Sequence, residues 1–120
     1  MKRDMDLVRL IVLAIEAEPS GYAPHPFAID GHTDEEVGYH VHIMAQAGLL
    51  DGHDITSMGS KSPQAMASSL TWAGHEFADA ARDDTRWSKA KDLAVTKAGS
   101  VTIEILTKIL SSLMTSALGL

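Results

Sequence analysis

The sequence predicts a mainly α-helical protein carrying one small β-hairpin, and three observations predict it. Residues 33–48 read as a capped amphipathic helix that stops at a glycine. Directly after it, two short apolar runs at residues 49–56 and 66–70 flank a loop of Gly, Ser and Pro. The remaining chain falls into further stretches of helical periodicity that no hairpin signal interrupts. A helix that passes through a glycine into a hairpin is the layout of a winged-helix domain. That domain is expected at residues 1–82. Residues 83–120 are expected to form a C-terminal helical extension in the same compact unit.

The first helix is expected from Asp4 to Glu18. Val8, Ile11, Val12 and Ile15 form its apolar stripe, Leu7, Leu10 and Ala14 widen it, and Pro19-Ser20-Gly21 ends it. Pro24 and Pro26 then forbid an interior helix. Phe27-Ala28-Ile29 suits one short strand, and a degenerate turn stands where a winged helix has its short second helix. Thr33 is placed to cap the next helix, with Glu36 completing a capping box. Val37, Val41 and Met44 line one face, flanked by His40 and Ala47, and Gly48 supplies the stop. An ordinary amphipathic helix entering an ordinary strand would show the same features.

The two strands of the wing, Leu49–Thr56 and Met66–Leu70, enclose the tip from Ser57 to Pro63. Thr71 can cap a helix from Trp72 to Arg82 that buries Trp72, Phe77 and Ala80 or Ala81. Asp83-Asp84-Thr85 opens a new helix, Arg86–Ala98, anchored by Trp87 and ended by Gly99. Ser100 is placed to cap the last helix. In that helix Ile103, Leu106, Leu110, Leu113, Ala117 and Leu120 keep heptad spacing over about two and a half repeats. Ile105, Ile109 and Met114 add a second stripe. Two apolar stripes need two partners, so Ile103, Leu106, Leu110, Leu113 and Ala117 are the candidate interface of a homodimer. The alternative packs both stripes inside one chain.

Composition excludes several classes. Cysteine is absent, which removes disulfides, thiolate metal sites and cysteine nucleophiles and fits a reducing cytoplasm. The apolar run after Met1-Lys2-Arg3 is broken by charges, so no secretory leader is expected. The C-terminal helix carries Glu104 and Lys108 and is a poor membrane span. Ten Lys or Arg stand against sixteen Asp or Glu, a net charge of −6. No Lys or Arg occurs between Arg9 and Lys61, a gap that holds Asp30, Asp34, Glu35, Glu36, Asp51 and Asp54. Phosphate-binding surfaces are normally basic, so this distribution opposes simple DNA reading.

No catalytic pattern emerges. Gly59-Ser60-Lys61-Ser62 lacks the order and the strand–helix context of a phosphate loop. No nucleophile elbow is present. Ser57 and Lys61 are spaced by four rather than three, and Asp83-Asp84 suits a helix start. No cofactor is expected and the protein reads as non-enzymatic. Six histidines invite a metal reading. Glu36 and His40, at i and i+4, could supply half a site, against the plainer reading of a hydrogen-bonded, partly buried His40. For duplex DNA the outward candidates are Tyr39, His42 and Gln46, with Lys61 on the wing and Lys2 and Arg3 at the N-terminus.

Several phrases carry a resemblance. MKRDMDLVR (1–9), EEVGYHVHIMAQAGLL (35–50), LTWAGHEFADAARDDTRW (70–87) and GSVTIEIL (99–106) together resemble an uncharacterised bacterial and prophage-borne family with a domain of unknown function, grouped with winged-helix proteins. The run from His40-Val41 through Met44 to Gly48-Leu49 is similar to the phrase that closes the recognition helix in many winged-helix repressors. Leu70-Thr71 with Gly74 is similar to a phrase that follows the wing in several transcription regulators. The resemblance implies the fold and a phage or mobile-element context, and implies no activity. The first functional expectation is therefore a dimeric winged-helix regulator that binds DNA. The second is an interaction module whose acidic surface meets a basic protein or imitates nucleic acid.

Overall fold

The structure, a computed structural model, describes residues 1–119. It is an α+β protein with five α-helices, one π-helical turn and a two-stranded antiparallel sheet. The chain divides into two compact units after Glu76, six residues before the expected boundary and inside the third helix.

In the first unit, helix α1 spans Met5–Glu16. Asp4 caps it, its Oδ1 accepting from the Asp6 and Leu7 backbone N–H groups at 2.9 and 3.3 Å. The anticipated stripe of Val8, Ile11, Val12 and Ile15 is buried together with Leu7 and Met5, whereas Leu10, expected to widen it, lies exposed on the other side of the helix. Each buried side chain of this set contributes roughly 1.5–3 kcal/mol of transfer free energy. Helix α2 spans Asp34–Gln46 and buries Val37, His40, Val41 and Met44. Its capping box is present, with Thr33 Oγ1 accepting from Glu36 N at 3.1 Å and Glu36 Oε1 accepting from Thr33 N at 3.0 Å. Gly48 leaves the helix at φ 78, in the left-handed region that suits glycine.

The wing pairs strand β1 (Leu50–Asp54) with strand β2 (Ala65–Leu70), and an irregularity between Asp51 and Gly52 leaves Ser68 without a register partner. The third strand expected at Phe27–Ile29 does not form. Its place is taken by a single bridge at Tyr22–Ser69, where Ala23 N donates to Ser68 O at 2.8 Å. Pro24 and Pro26 follow, and among the described residues no second bridge forms on that edge. A hydrogen-bonded turn from Ile29 to His32 precedes α2, and no helix lies between α1 and α2.

Helix α3 spans Trp72–Ala81. Thr71 Oγ1 accepts from Gly74 N at 3.1 Å, the expected cap. Gly74 itself packs against the Leu49 carbonyl so closely that any Cβ there would collide with it. Trp72 was expected in the core and is 82% exposed. The buried residues of this helix are Gly74, Phe77, Ala78 and Ala81, spaced i, i+3, i+4, i+7. Trp72, two residues before that stripe, faces the opposite way and donates from Nε1 to Glu76 Oε1 at 3.0 Å.

The second unit begins at Phe77. Helix α4 spans Asp84–Leu93, with Asp83 Oδ1 accepting from Arg86 N at 2.8 Å. A π-helical turn, Ala94–Ala98, continues it to Gly99, the anticipated stop, at φ 72. Phe77 and Trp87 meet edge to face at 5.9 Å. Helix α5 spans Ile103–Ala117 and is capped by Thr102, whose Oγ1 accepts from Ile105 N at 3.3 Å. Ser100 was the expected cap. Leaving the π turn through left-handed Gly99 spends Ser100 and Val101 on the connection, so Thr102 is the residue before the helix with extended backbone angles.

Candidate binding surface

His40 decides what α2 can do. Its side chain is 1% exposed. Nδ1 lies 2.8 Å from the Glu36 carbonyl, one turn back, and Nε2 accepts from the Asp4 backbone N–H at 2.9 Å. A carbonyl can only accept and an amide N–H can only donate, so the ring is the neutral Nδ1–H tautomer with both nitrogens used. That occupancy removes the Glu36–His40 half-site. Glu36 is committed to Thr33, and the backbone N–H of Thr33, with its hydroxyl next, holds the Glu36 carboxyl below its ordinary value. Among the described residues no group of three His, Asp or Glu is arranged to hold a metal ion.

The outward face of α2 is only partly open. Tyr39 and His42 are half-buried and Gln46 is exposed, its Nε2 3.5 Å from His42 Nε2. Tyr39 stands edge-on to the His40 ring at 5.8 Å. The first turns of α2 are roofed by the returning arm of the wing. Gln64 Nε2 donates to the Glu35 carbonyl at 3.0 Å and to Ser62 Oγ at 2.8 Å, and Ser62 Oγ donates to Glu35 Oε1 at 2.7 Å. Gly38 makes room for this clasp, since a Cβ there would overlap the Gln64 carboxamide. Sequence reasoning gave Ser62 and Gln64 no part against α2. Their signal was faint: a glycine inside a helix of otherwise ordinary periodicity.

The wing exposes three large apolar side chains among polar ones that include Asp51, His53, Asp54 and Thr56. Ile55, Met58 and Met66 are exposed, Met58 completely, and Lys61 is exposed beside them. Asp54 accepts from Thr56 N at 2.8 Å, and the Thr56 hydrogen bonds hold its carboxyl below the ordinary value. Lys2 and Arg3 are exposed at the N-terminus, next to the Asp4 amide that His40 holds. The candidates thus lie at three places on the first unit: the flank of α2, the wing and the N-terminal arm.

Charge separates the units. Residues 1–76 carry four Lys or Arg against eleven Asp or Glu, a net of −7, and residues 77–120 carry six against five, a net of +1.

The dimer candidates divide as well. Leu106 and Leu110 are fully buried within one chain, which removes them from any surface offered to a second copy. Ile103 and Leu113 are half-buried and Ala117 is exposed. Ile105 and Ile109 of the second stripe, with Leu113 of the seam and Leu93 of α4, line a groove of about 380 Å³ that also touches Lys97 and Lys108.

Residues 2–100 match the family described as "Hypothetical protein (DUF2513)". The chain belongs to this family. A protein of Haemophilus influenzae, described as "Uncharacterized protein", is 30% identical over 119 residues, 98% of this chain and 99% of its own length. The family match stops before α5, whereas the likeness to the Haemophilus protein spans nearly the whole chain. No solved structure matches. Among the described residues no helix is long and apolar enough to cross a membrane.

Proposed function

We propose that the chain is a non-enzymatic binding protein whose acidic first unit recognises a cationic protein surface. The observation that carries this reading is the charge split, a net of −7 on residues 1–76 against +1 beyond them. Duplex DNA presents about one negative charge per 1.7 Å of axis and would meet that unit with repulsion. The clasp of Ser62 and Gln64 over Glu35 adds to the case, because it covers the end of α2 that a recognition helix presents to base edges. Exposed Ile55, Met58 and Met66 on the wing suit a protein partner better than a phosphate backbone.

The second reading is a dimeric DNA-binding regulator of phage or mobile-element context, acting in the cytoplasm. One specific observation favours it: the Asp4–His40 hydrogen bond fixes the basic Lys2-Arg3 arm beside α2. Under that reading Tyr39, His42 and Gln46 approach the duplex with Lys61 on the wing, and two copies join through the open Ile105–Ile109–Leu113 stripe of α5.

The test of the first reading is titration of the labelled protein with oligolysine, read by fluorescence anisotropy. Binding should weaken with salt and weaken further in the exposed-site double variant Asp30→Lys, Asp51→Lys. An absence of binding at low salt would overturn it.

A further inference from the structure

Trp72 stands in solvent at 82% exposure, although tryptophan is a residue that folded chains bury on average. It is held there. Its Nε1 donates to Glu76 Oε1 at 3.0 Å, one turn further along α3, and that bond lays the indole along the helix surface with a face open to water. The cause is local: Gly74 turns inward against the Leu49 carbonyl, so positions 72 and 76, four apart, share the outward side. A ring ordered before any partner arrives loses less entropy on binding. Exposed tryptophans are also the side chains that most often dominate the energy of an interface.

The surroundings select what covers the ring. Glu76 is bonded to its edge, and Glu16 Oε2 lies 3.5 Å from Nδ1 of His75, the residue before Glu76. Both carboxylates belong to the unit of net charge −7. The indole face is itself the negative side of a quadrupole and attracts a cation set over it. A phosphate or carboxylate ligand would meet ring and carboxylate with repulsion. Arginine satisfies both at once: its guanidinium is flat, stacks on aromatic faces and donates to carboxylates, whereas the lysine ammonium is a strongly hydrated point charge. We propose that Trp72 and Glu76 form a site for an arginine side chain of the partner protein, the guanidinium stacked on the indole and donating to the Glu76 carboxylate. The proposal rests on the cationic-partner reading above and names the residue type recognised and the place that recognises it.

The probes are oligoarginine and oligolysine of equal length and charge, blocked at both ends and titrated into the full chain at one ionic strength. The chain has two tryptophans, and Trp87 is 3% exposed, so acrylamide quenching of the emission reports Trp72. The expected result is saturable binding in which oligoarginine binds about fivefold tighter than oligolysine and shields Trp72 from acrylamide. Trp72→Ala, a change at the surface, should bring the two affinities together. Glu76→Gln, which keeps an acceptor for the indole N–H and deletes the charge, should weaken oligoarginine more than oligolysine. Equal affinities in the unaltered chain, or an arginine preference that survives Trp72→Ala, would overturn the site while leaving the cationic-partner reading standing. No binding of either peptide would overturn both.

Discussion

The two units solve the small-core problem in different ways. The first buries long aliphatic side chains from α1 against α2 and β2, and admits one polar group, His40, with both ring nitrogens satisfied. The second brings helices together through alanine: Ala78, Ala81, Ala90 and Ala94 are fully buried, with Phe77, Trp87, Leu106 and Leu110 filling the spaces. Their surfaces differ as sharply, one strongly acidic and one nearly neutral. A near-neutral, mixed-charge helical face is ordinarily solvated. Under the function proposed above, the unit that meets the partner is the one that carries both the charge imbalance and the exposed Ile55, Met58 and Met66 of the wing.

Substitutions can sharpen this contrast, beginning with the largest effect. Leu110→Ala should cost about 3–4 kcal/mol in the second unit, the range for a buried leucine, and Trp87 fluorescence should follow the loss in denaturant. An interface leucine would behave otherwise: its truncation would change the mass of the assembly and leave Trp87 alone. His40→Ala should cost about 3 kcal/mol in the first unit, because it opens a cavity and strands the Asp4 N–H, while the Glu36 carbonyl keeps its helical bond from residue 40. Hydrogen exchange of the Asp4 amide reads this directly, and unchanged protection would remove the assigned bond. Gly38→Ala should cost about 1 kcal/mol. The atom in its way is the far end of a flexible Gln64 side chain, which can swing aside and give up its bonds to Glu35 and Ser62. New mobility at Ser62–Gln64 in relaxation measurements would confirm that origin.

An effect of similar size belongs to the capping box. Thr33→Ala should cost about 1 kcal/mol. Hydrogen bonds from Thr33 lower the Glu36 carboxyl below its ordinary value. A carboxylate depressed in the folded state contributes stability above its unfolded value and loses that contribution as pH falls through the folded one. Acid titration of stability should therefore show a limb below the ordinary carboxylate range that Glu36→Gln flattens. A limb identical in both proteins would assign it to other groups.

Much of this fold was legible because its signals are local. The Thr33–Glu36 box, the Gly48 and Gly99 stops and the α1 stripe are written within one or two turns, and each forms as expected. The hairpin followed from two apolar runs around a Ser-, Gly- and Pro-rich tip. What failed needed knowledge of a partner. Trp72 reads as a core anchor until the stripe of Gly74, Phe77, Ala78 and Ala81 fixes which way α3 turns. Phe27–Ile29 reads as a strand from its residue types, but the pairing on that edge of β2 is confined to the bridge at Tyr22–Ser69. The heptad spacing of α5 reads as an interface, yet Leu106 and Leu110 on it are buried inside the chain, Ala117 is exposed and Leu120 lies outside the described residues. Periodicity reports that a face is buried without saying by what. The candidate surface was the least legible part, since the Gln64–Ser62–Glu35 clasp joins residues 29 apart or nearly so.

The most direct test of the central contrast is binding of the full chain to random duplex DNA over a salt series, followed by fluorescence anisotropy. A surface of net charge −7 should give no measurable association even at the lowest ionic strength. Affinity that rises steeply as salt is withdrawn would contradict the account, and would place the basic N-terminal arm and Lys61 on a phosphate backbone.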